Sequence, residues 1–248
     1  SLPPGEPLAA ADGVVLSRLL VSRIARRHGL LVSFSPFPFA GGGGNGAHIH
    51  FSFSRSGDSL FSGGEGPYGI TRDGGAAIGG VVAALPGLQA VLGGSVLSGA
   101  RLRPGYWSGA FACWGRENRE AAVRFLEGTP GNPHGANVEV KPVDPSANPY
   151  LASAAVLGAA LEGIRSGAAL PEEVTENPAD VAVARGIQQL PSELAPTLDA
   201  LAGSEGAARI LGPEIVAGVL AVRRWELEHY GDADADALPA RFRFAWSI

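Results

Sequence analysis

The sequence has no methionine, one cysteine (Cys113) and one lysine (Lys141) among its 248 residues. A single thiol excludes an internal disulfide framework and suits a reducing compartment, so a cytoplasmic location is expected. Aromatic residues make up 7% of the chain, charged residues 17%, and the formal net charge is −5. Basic charge is thus scarce and outweighed, which argues against a nucleic-acid surface. No apolar run near the about 20 residues of a membrane span is read along the chain, and no basic-then-apolar leader opens it. Neither a membrane nor a nucleic acid is therefore expected as a partner. The opening Ser1-Leu2-Pro3-Pro4-Gly5 reads as the end of a strand entering a turn, so the expectation is a piece of a longer protein.

Glycine is abundant instead, at 36 residues, roughly twice the usual share of about 7%. A helical stripe runs from Ala9 to Arg27 and stops at Gly29. Leu30 to Phe34 reads as a short strand, and Pro36, Pro38 and Gly41 to Gly44 as a loop in which glycine lets the backbone approach something closely. His48 to Phe53 alternates: His48, His50 and Ser52 fall on one face, Ile49, Phe51 and Phe53 on the other, as in a half-buried strand with a polar working face. Asp73 to Leu85 reads as helix. Trp107 to Trp114, Ala121 to Phe125 and Asn137 to Lys141 read as strands, the last with Asn137, Glu139 and Lys141 opposite Val138 and Val140. Pro149 to Ile164 is a nearly all-apolar, buried helix. Further helices are expected near Ser192 to Ala202 and Pro213 to Glu228, with a strand-like aromatic stretch at Phe242 to Trp246. Strands and helices do not alternate regularly, so the fold class is α+β.

Three groups of residues could carry chemistry. His48 and His50, two apart on one strand face, suit a shared site, and histidine is the commonest metal ligand. An isolated His-x-His reads equally well as two locally bonded strand residues, and no third histidine on a later strand completes a one-domain metal centre. Glu139, between two valines, is either solvated or buried against a cation, because burying it alone costs several kcal/mol. Arg101, Arg103, Arg116, Arg119 and Arg124 crowd into one stretch, and guanidinium forks suit carboxylates and phosphates. Arg119 and Arg124, five apart, would face opposite ways on a regular strand, so a bulge or bend is expected there.

The order of these groups along the chain carries a resemblance. Asn45-Gly46-Ala47-His48-Ile49-His50-Phe51-Ser52, then Arg101-Leu102-Arg103-Pro104-Gly105-Tyr106, then Arg119 to Arg124, then Val138-Glu139-Val140 through Asp144-Pro145-Ser146-Ala147-Asn148-Pro149-Tyr150 resembles the C-terminal catalytic domain of glutamine synthetase. The likeness spans nearly the whole chain and is firmest from Ala9 to Gly163. It implies one domain over residues 1–248, in which a curved antiparallel sheet, a half-barrel, is backed by helices. The Pro149 to Ile164 helix is expected against the convex side of that sheet. It also implies that a β-grasp domain and an upstream segment with further metal-binding Glu residues are missing at the N-terminus, so that the isolated chain is inactive.

The activity implied is an ATP-dependent ligase. ATP phosphorylates the γ-carboxylate of glutamate, and ammonia or an amine displaces the phosphate to leave an amide. The implied cofactor is Mg²⁺ or Mn²⁺, with His48 and Glu139 as metal ligands. His50, Ser52, Arg119 and Arg124 are implied as ATP contacts, Asn45, Gly46, Arg101 and Lys141 as substrate contacts, and Arg101 and Arg119 as catalytic. A ring-shaped homo-oligomer is expected for the full-length protein. The departures matter too. Trp107 stands where ammonia-using members carry a catalytic Glu, Asn137 and Lys141 stand where the family has Arg, and Pro36-Phe37-Pro38 replaces Pro-Lys-Pro. Trp is no base but can wall a pocket for an organic amine, which is therefore the expected acceptor. The other reading is a non-catalytic relative with a structural or regulatory role.

Overall fold

The computed structural model describes residues 1–132 and 134–246. Helix α1 spans Pro7–Arg27; Pro7 opens it and Arg26 and Arg27 close it, where a helix dipole favours cations. Strand β1 (Ile49–Phe51) follows, then a small hairpin of β2 (Ser54–Arg55) and β3 (Asp58–Ser59). Helix α2 (Arg72–Leu92) is capped by Thr71, whose side chain accepts from the Gly74 N–H. Strands β4 (Phe111–Arg116), β5 (Ala121–Leu126) and β6 (Asn137–Val140) come next. Helix α3 (Pro149–Ser166) begins at the Asn148 cap and ends at Gly167, which is left-handed. The remainder is helical: α4 (Pro178–Arg185), α5 (Leu194–Ala202), α6 (Glu205–Leu211), α7 (Pro213–Tyr230) and α8 (Ala237–Phe242).

The class is α+β, as expected, but the sheet is mixed. Its order is β1-β6-β5-β4. The β1–β6 and β5–β6 pairs are antiparallel, while β4 and β5 run parallel. Parallel neighbours usually need a crossover of about a dozen residues, yet only residues 117–120 join these two. They run back along the sheet edge, tied by Asn118 Nδ2 to the carbonyls of Val174 and Glu176 at 2.8 and 2.9 Å. Arg119 lies in this return, outside any strand, so strand parity does not govern it, and the register irregularity sits in β4 between Phe111 and Trp114.

The layer against the sheet is α2, which packs on β4 and β5; α3 packs chiefly on α2, not on the sheet as expected. The α2–α3 crossing is backbone on backbone. A Cβ on Gly80 would lie 2.6 Å from the Gly163 Cα, and one on Gly163 would lie 2.2 Å from the Ala76 carbonyl. That closeness explains why a helix tolerates so many glycines. Helix α2 extends beyond the expected Leu85 and is, by length and composition, apolar enough to cross a membrane, with a mean hydropathy of 1.7. The sequence reading passed over it. Most of that span is buried in the core here.

Leu30 to Phe34 forms no strand, and Leu30 and Leu31 are exposed. The Phe242 to Trp246 stretch ends α8 and turns, because Phe242 and Trp246, four apart, stack at 6.1 Å as helical neighbours do. Helices α4 and α6, eight and seven residues long, went unread; runs so short carry little periodic signal.

Candidate active site

The polar face of the sheet is one row of side chains. His50 on β1 sits opposite Glu139 on β6, and Glu139 sits opposite Arg124 on β5. Glu139 is therefore flanked on both sides by cationic or protonatable groups. Its Oε1 accepts from His48 Nδ1 at 2.7 Å, with His50 Nε2 at 3.6 Å and Lys141 Nζ at 3.9 Å; its Oε2 faces Arg124 Nη1 at 3.3 Å. The Glu139 side chain is 6% exposed and that of Lys141 4%, so the carboxylate is buried and paired, not solvated. Val138 and Val140, on the reverse face, are fully buried in the core with α2. The alternation read at His48 to Phe53 holds as well: Phe51 is buried, Ile49 and Phe53 pack on the core, and His50 and Ser52 are exposed.

Arg101 closes the row from a single helical turn after α2. It is buried, and its Nη2 donates to the Lys141 carbonyl at 2.8 Å and to His48 Nε2 at 3.4 Å. With Nδ1–H given to Glu139, the His48 ring is the neutral tautomer whose Nε2 lone pair faces Arg101. The glycine loop makes room for this. A Cβ on Gly44 would meet Arg101 Cγ at 2.7 Å, and a Cβ on Gly46 would meet His48 Nε2 at 2.5 Å and Arg101 Nη2 at 2.8 Å. The close approach expected of this loop is thus an approach to Arg101 and His48. Asn45 anchors it, with Nδ2 donating to the Ser35 carbonyl at 2.9 Å.

Electrostatics follow from burial among like charges. Burial would raise the Glu139 carboxyl, but the hydrogen bond from His48, the nearby His50 ring and the charge of Lys141 outweigh it and hold the group well below the usual carboxylate range. Burial lowers His48, with the hydrogen bond to Glu139 opposing and Lys141 and Arg101 adding to the fall. His50 moves up, mainly through the Glu139 carboxylate 3.6 Å away, with burial opposing and its hydrogen bond to Asn137 adding to the rise. Lys141 is lowered by burial, against the pull of Glu139, with Arg124, Arg101 and Arg119 adding repulsion. The face holds more positive than negative charge, an arrangement that suits an anionic ligand.

This geometry, the motif order and the match to known proteins agree. The family model for "Glutamine synthetase, catalytic domain" matches residues 1–237. The chain belongs to the glutamine synthetase family. Among curated relatives, it is 43% identical to "Gamma-glutamylpolyamine synthetase GlnA3" of Streptomyces coelicolor over 245 residues, covering 97% of this chain and 53% of that protein. It is 33% identical to a glutamine synthetase of Methanocaldococcus jannaschii over 234 residues, covering 92% and 51%. Among solved structures, a crystal structure of a "novel glutamine synthase homolog" superposes with a TM-score of 0.83 at 32% identity, covering 97% of this chain and 54% of the other. Ligand-free GmaS gives 0.81 at 32% identity, covering 94% and 53%. The chain thus spans about half the length of the relatives it matches.

Glutamine synthetase-like ligases use ATP, a divalent metal, glutamate and ammonia or an amine. The residues here fit one corner of such a metal site. Glu139 supplies carboxylate oxygens, which suit a hard divalent cation, and Mg²⁺ commonly takes only one or two carboxylates beside phosphate and water; the His48 imidazole is a softer donor, and its Nε2 faces Arg101. Among the described residues no group of three His, Cys, Asp or Glu forms a ready-made metal cluster.

Of the sequence-predicted residues, the fold brings together Gly46, His48, His50, Arg101, Arg124, Glu139 and Lys141, with Asn45 at the base of the loop. Ser52 lies one residue beyond β1 on the exposed face. Arg119 and Trp107 meet each other instead, the Arg119 guanidinium lying 5.8 Å from the Trp107 ring. Two acidic residues were missed: Glu117, left-handed at φ 52, which pairs with Arg124, and Glu120, described below. The only signal for them was the crowd of arginines, which calls for carboxylates nearby.

Proposed function

We propose that the protein containing this chain is an ATP-dependent ligase that joins the γ-carboxylate of glutamate, or a similar acid, to an organic amine through a γ-glutamyl phosphate. The observation that carries this is the Glu139 cluster itself: one buried carboxylate among His48, His50, Arg124 and Lys141, with Arg101 against His48. Phosphoryl transfer is largely positioning and charge neutralisation, and this face offers both.

In this reading Arg101 and Lys141 hold the acid substrate, while Asn45 and Gly46 shape its pocket. His50, Ser52, Arg119 and Arg124 hold ATP, and Arg101 and Arg119 neutralise charge that builds up during transfer. His48 and Glu139 would hold a Mg²⁺ or Mn²⁺ ion, which when bound neutralises phosphate charge. The γ-phosphoryl group passes from ATP to the carboxylate, leaving ADP; the amine nitrogen then attacks the acyl carbon, a proton leaves the nitrogen and phosphate departs. Trp107 offers no base and stands as an apolar wall for the amine. A cytoplasmic location and a ring-shaped homo-oligomer belong to the same proposal.

The test is phosphate release by the full-length gene product with ATP, Mg²⁺ and glutamate, against ammonia, ethanolamine, polyamines and aromatic amines. Release with an organic amine and little with ammonia is expected. Release with ammonia alone would refute the role of Trp107. Silence across the panel with ATP still bound would favour the non-catalytic relative or another acid. Trp107→Glu should raise ammonia use relative to amines, and an unchanged ratio counts against the wall.

A further inference from the structure

The segment carrying Trp107 is a clamped turn. Ser108 Oγ accepts from the Arg103 N–H at 3.1 Å and donates to the Arg103 carbonyl at 2.9 Å, closing residues 103–108 into a ring. Within it, Gly105 and Trp107 are both left-handed, with φ of 81° and 54°. That conformation is easy for glycine and strained for tryptophan. The turn is held from outside by one side chain, Glu120. Its Oε2 accepts from the Gly105 N–H at 3.1 Å and its Oε1 from the Trp107 N–H at 3.0 Å. Glu120 is itself seated, because its N–H donates to Asn118 Oδ1 at 3.0 Å and Asn118 is tied to the Val174 carbonyl.

The clamped turn borders the site. Two residues after Trp107, a Cβ on Gly109 would come within 2.9 Å of both the Ala122 Cα and the Lys141 Cβ. Arg119, lying over the Trp107 ring, repels the Lys141 ammonium. The Trp107 side chain is well exposed on this rim, and its backbone N–H is held by Glu120.

We propose that Glu120 is a positioning residue for amine selection: its carboxylate fixes the 103–108 turn, so that the Trp107 ring is a preformed wall on the rim that leads through Gly109 to Lys141. This rests on the reading of Trp107 as the amine wall. The choice of residue follows from geometry. The Gly105 and Trp107 N–H groups each meet a different oxygen of the Glu120 carboxylate. A carboxylate provides both, an amide one and alanine none. Without the clamp the strain at Trp107 is free to relax, and the wall moves.

The experiment uses Glu120→Ala, Glu120→Gln and Trp107→Phe in the full-length protein. Steady-state kinetics are measured with a polyamine and with ammonia. Acrylamide quenching of Trp107 emission is isolated by difference from Trp107→Phe. Glu120→Ala is expected to raise KM for the amine roughly tenfold, the effect of losing hydrogen bonds to a charged group. Its kcat, and KM for ATP and glutamate, should stay within about twofold. The amine-to-ammonia preference should fall and Trp107 should become more quenchable. Glu120→Gln, keeping one acceptor, should lie between. An equal loss for amine and ammonia, or quenching unchanged in Glu120→Ala, overturns the proposal. If the wild-type protein turns over no amine while Glu120→Ala still raises Trp107 quenching, the ligase reading fails and amine selection with it, but the clamp stands; if quenching also stays constant, both fail.

Discussion

Replacing Glu139 with Gln keeps the shape of the side chain and removes the charge on which the site is built. The Glu139 side chain is 6% exposed, Lys141 4% and Arg124 15%, so solvent screens these pairs little. Breaking a buried ion pair by deleting one partner costs about 3–5 kcal/mol, because a charge is left uncompensated. Two features put this case at the low end. Arg124 keeps Glu117 as a second partner, and Lys141, already held below the usual lysine range by burial, can shed its proton. The expected loss is about 3 kcal/mol. In a domain of this size that is a fall in Tm of about 6–12 °C. Thermal unfolding followed by circular dichroism in chelator-treated buffer reads it directly. Lys141→Met in the Glu139→Gln background should recover part of the loss, giving a coupling energy of about 1–3 kcal/mol in a double-mutant cycle. A Glu139→Gln protein as stable as the parent, or more stable, would refute the reasoning: Glu139 would then be a strained functional residue and not the counter-ion of the face.

Other expectations follow from single contacts. Gly163→Ala places a methyl 2.2 Å from the Ala76 carbonyl and 2.7 Å from the Gly80 Cα. Overpacking of about 1–3 kcal/mol should exceed the helix-propensity gain of about 1 kcal/mol and lower the urea midpoint with m unchanged. Gly218→Ala, on exposed α7 with nothing within 4 Å of the new methyl, should instead raise stability by up to about 1 kcal/mol; a loss there would contradict the propensity argument. Burial pushes the Cys113 thiol up to about 11. The thiolate is the reactive form, so native protein at pH 8 should resist iodoacetamide and labelling should climb only as pH nears that value, whereas urea-unfolded protein labels at once. Rapid labelling of the native protein at pH 8 would contradict the burial.

Alternation along His48 to Phe53 and Asn137 to Lys141 was legible because side-chain direction in a strand has a period of two, which any neighbour must respect. The caps at Thr71 and Asn148 and the left-handed stop at Gly167 are also local, each set by residues within one turn, although the sequence reading did not name them. The strings around His48, Arg101 and Glu139 carried the family for a related reason: the site is assembled from short contiguous stretches, each with its own signature. What surrounds those stretches was not legible. Nothing within a few residues of Glu139 says whether its face meets water or cations, since Arg124 and His50 come from strands β5 and β1, paired across the sheet. The parallel course of β4 and β5 depends on Asn118 reaching Val174, far along the chain, and not on the four residues that join the strands. The partner of Trp107 is Arg119, and its clamp is Glu120, both from the same return.

The residues by themselves determined the long helices and the strands around His50, Val123 and Glu139, which face of those strands is polar, and which family the chain resembles, because these depend on local propensity and on period. Only the tertiary structure decided that α2, apolar enough by composition for a membrane, is a core helix, that Leu30 to Phe34 forms no strand, and that Glu139 is a buried counter-ion and not a solvated carboxylate. Burial, pairing and charge balance belong to the groups a residue meets, and the residues that meet Glu139 are brought to it by strand register over long loops.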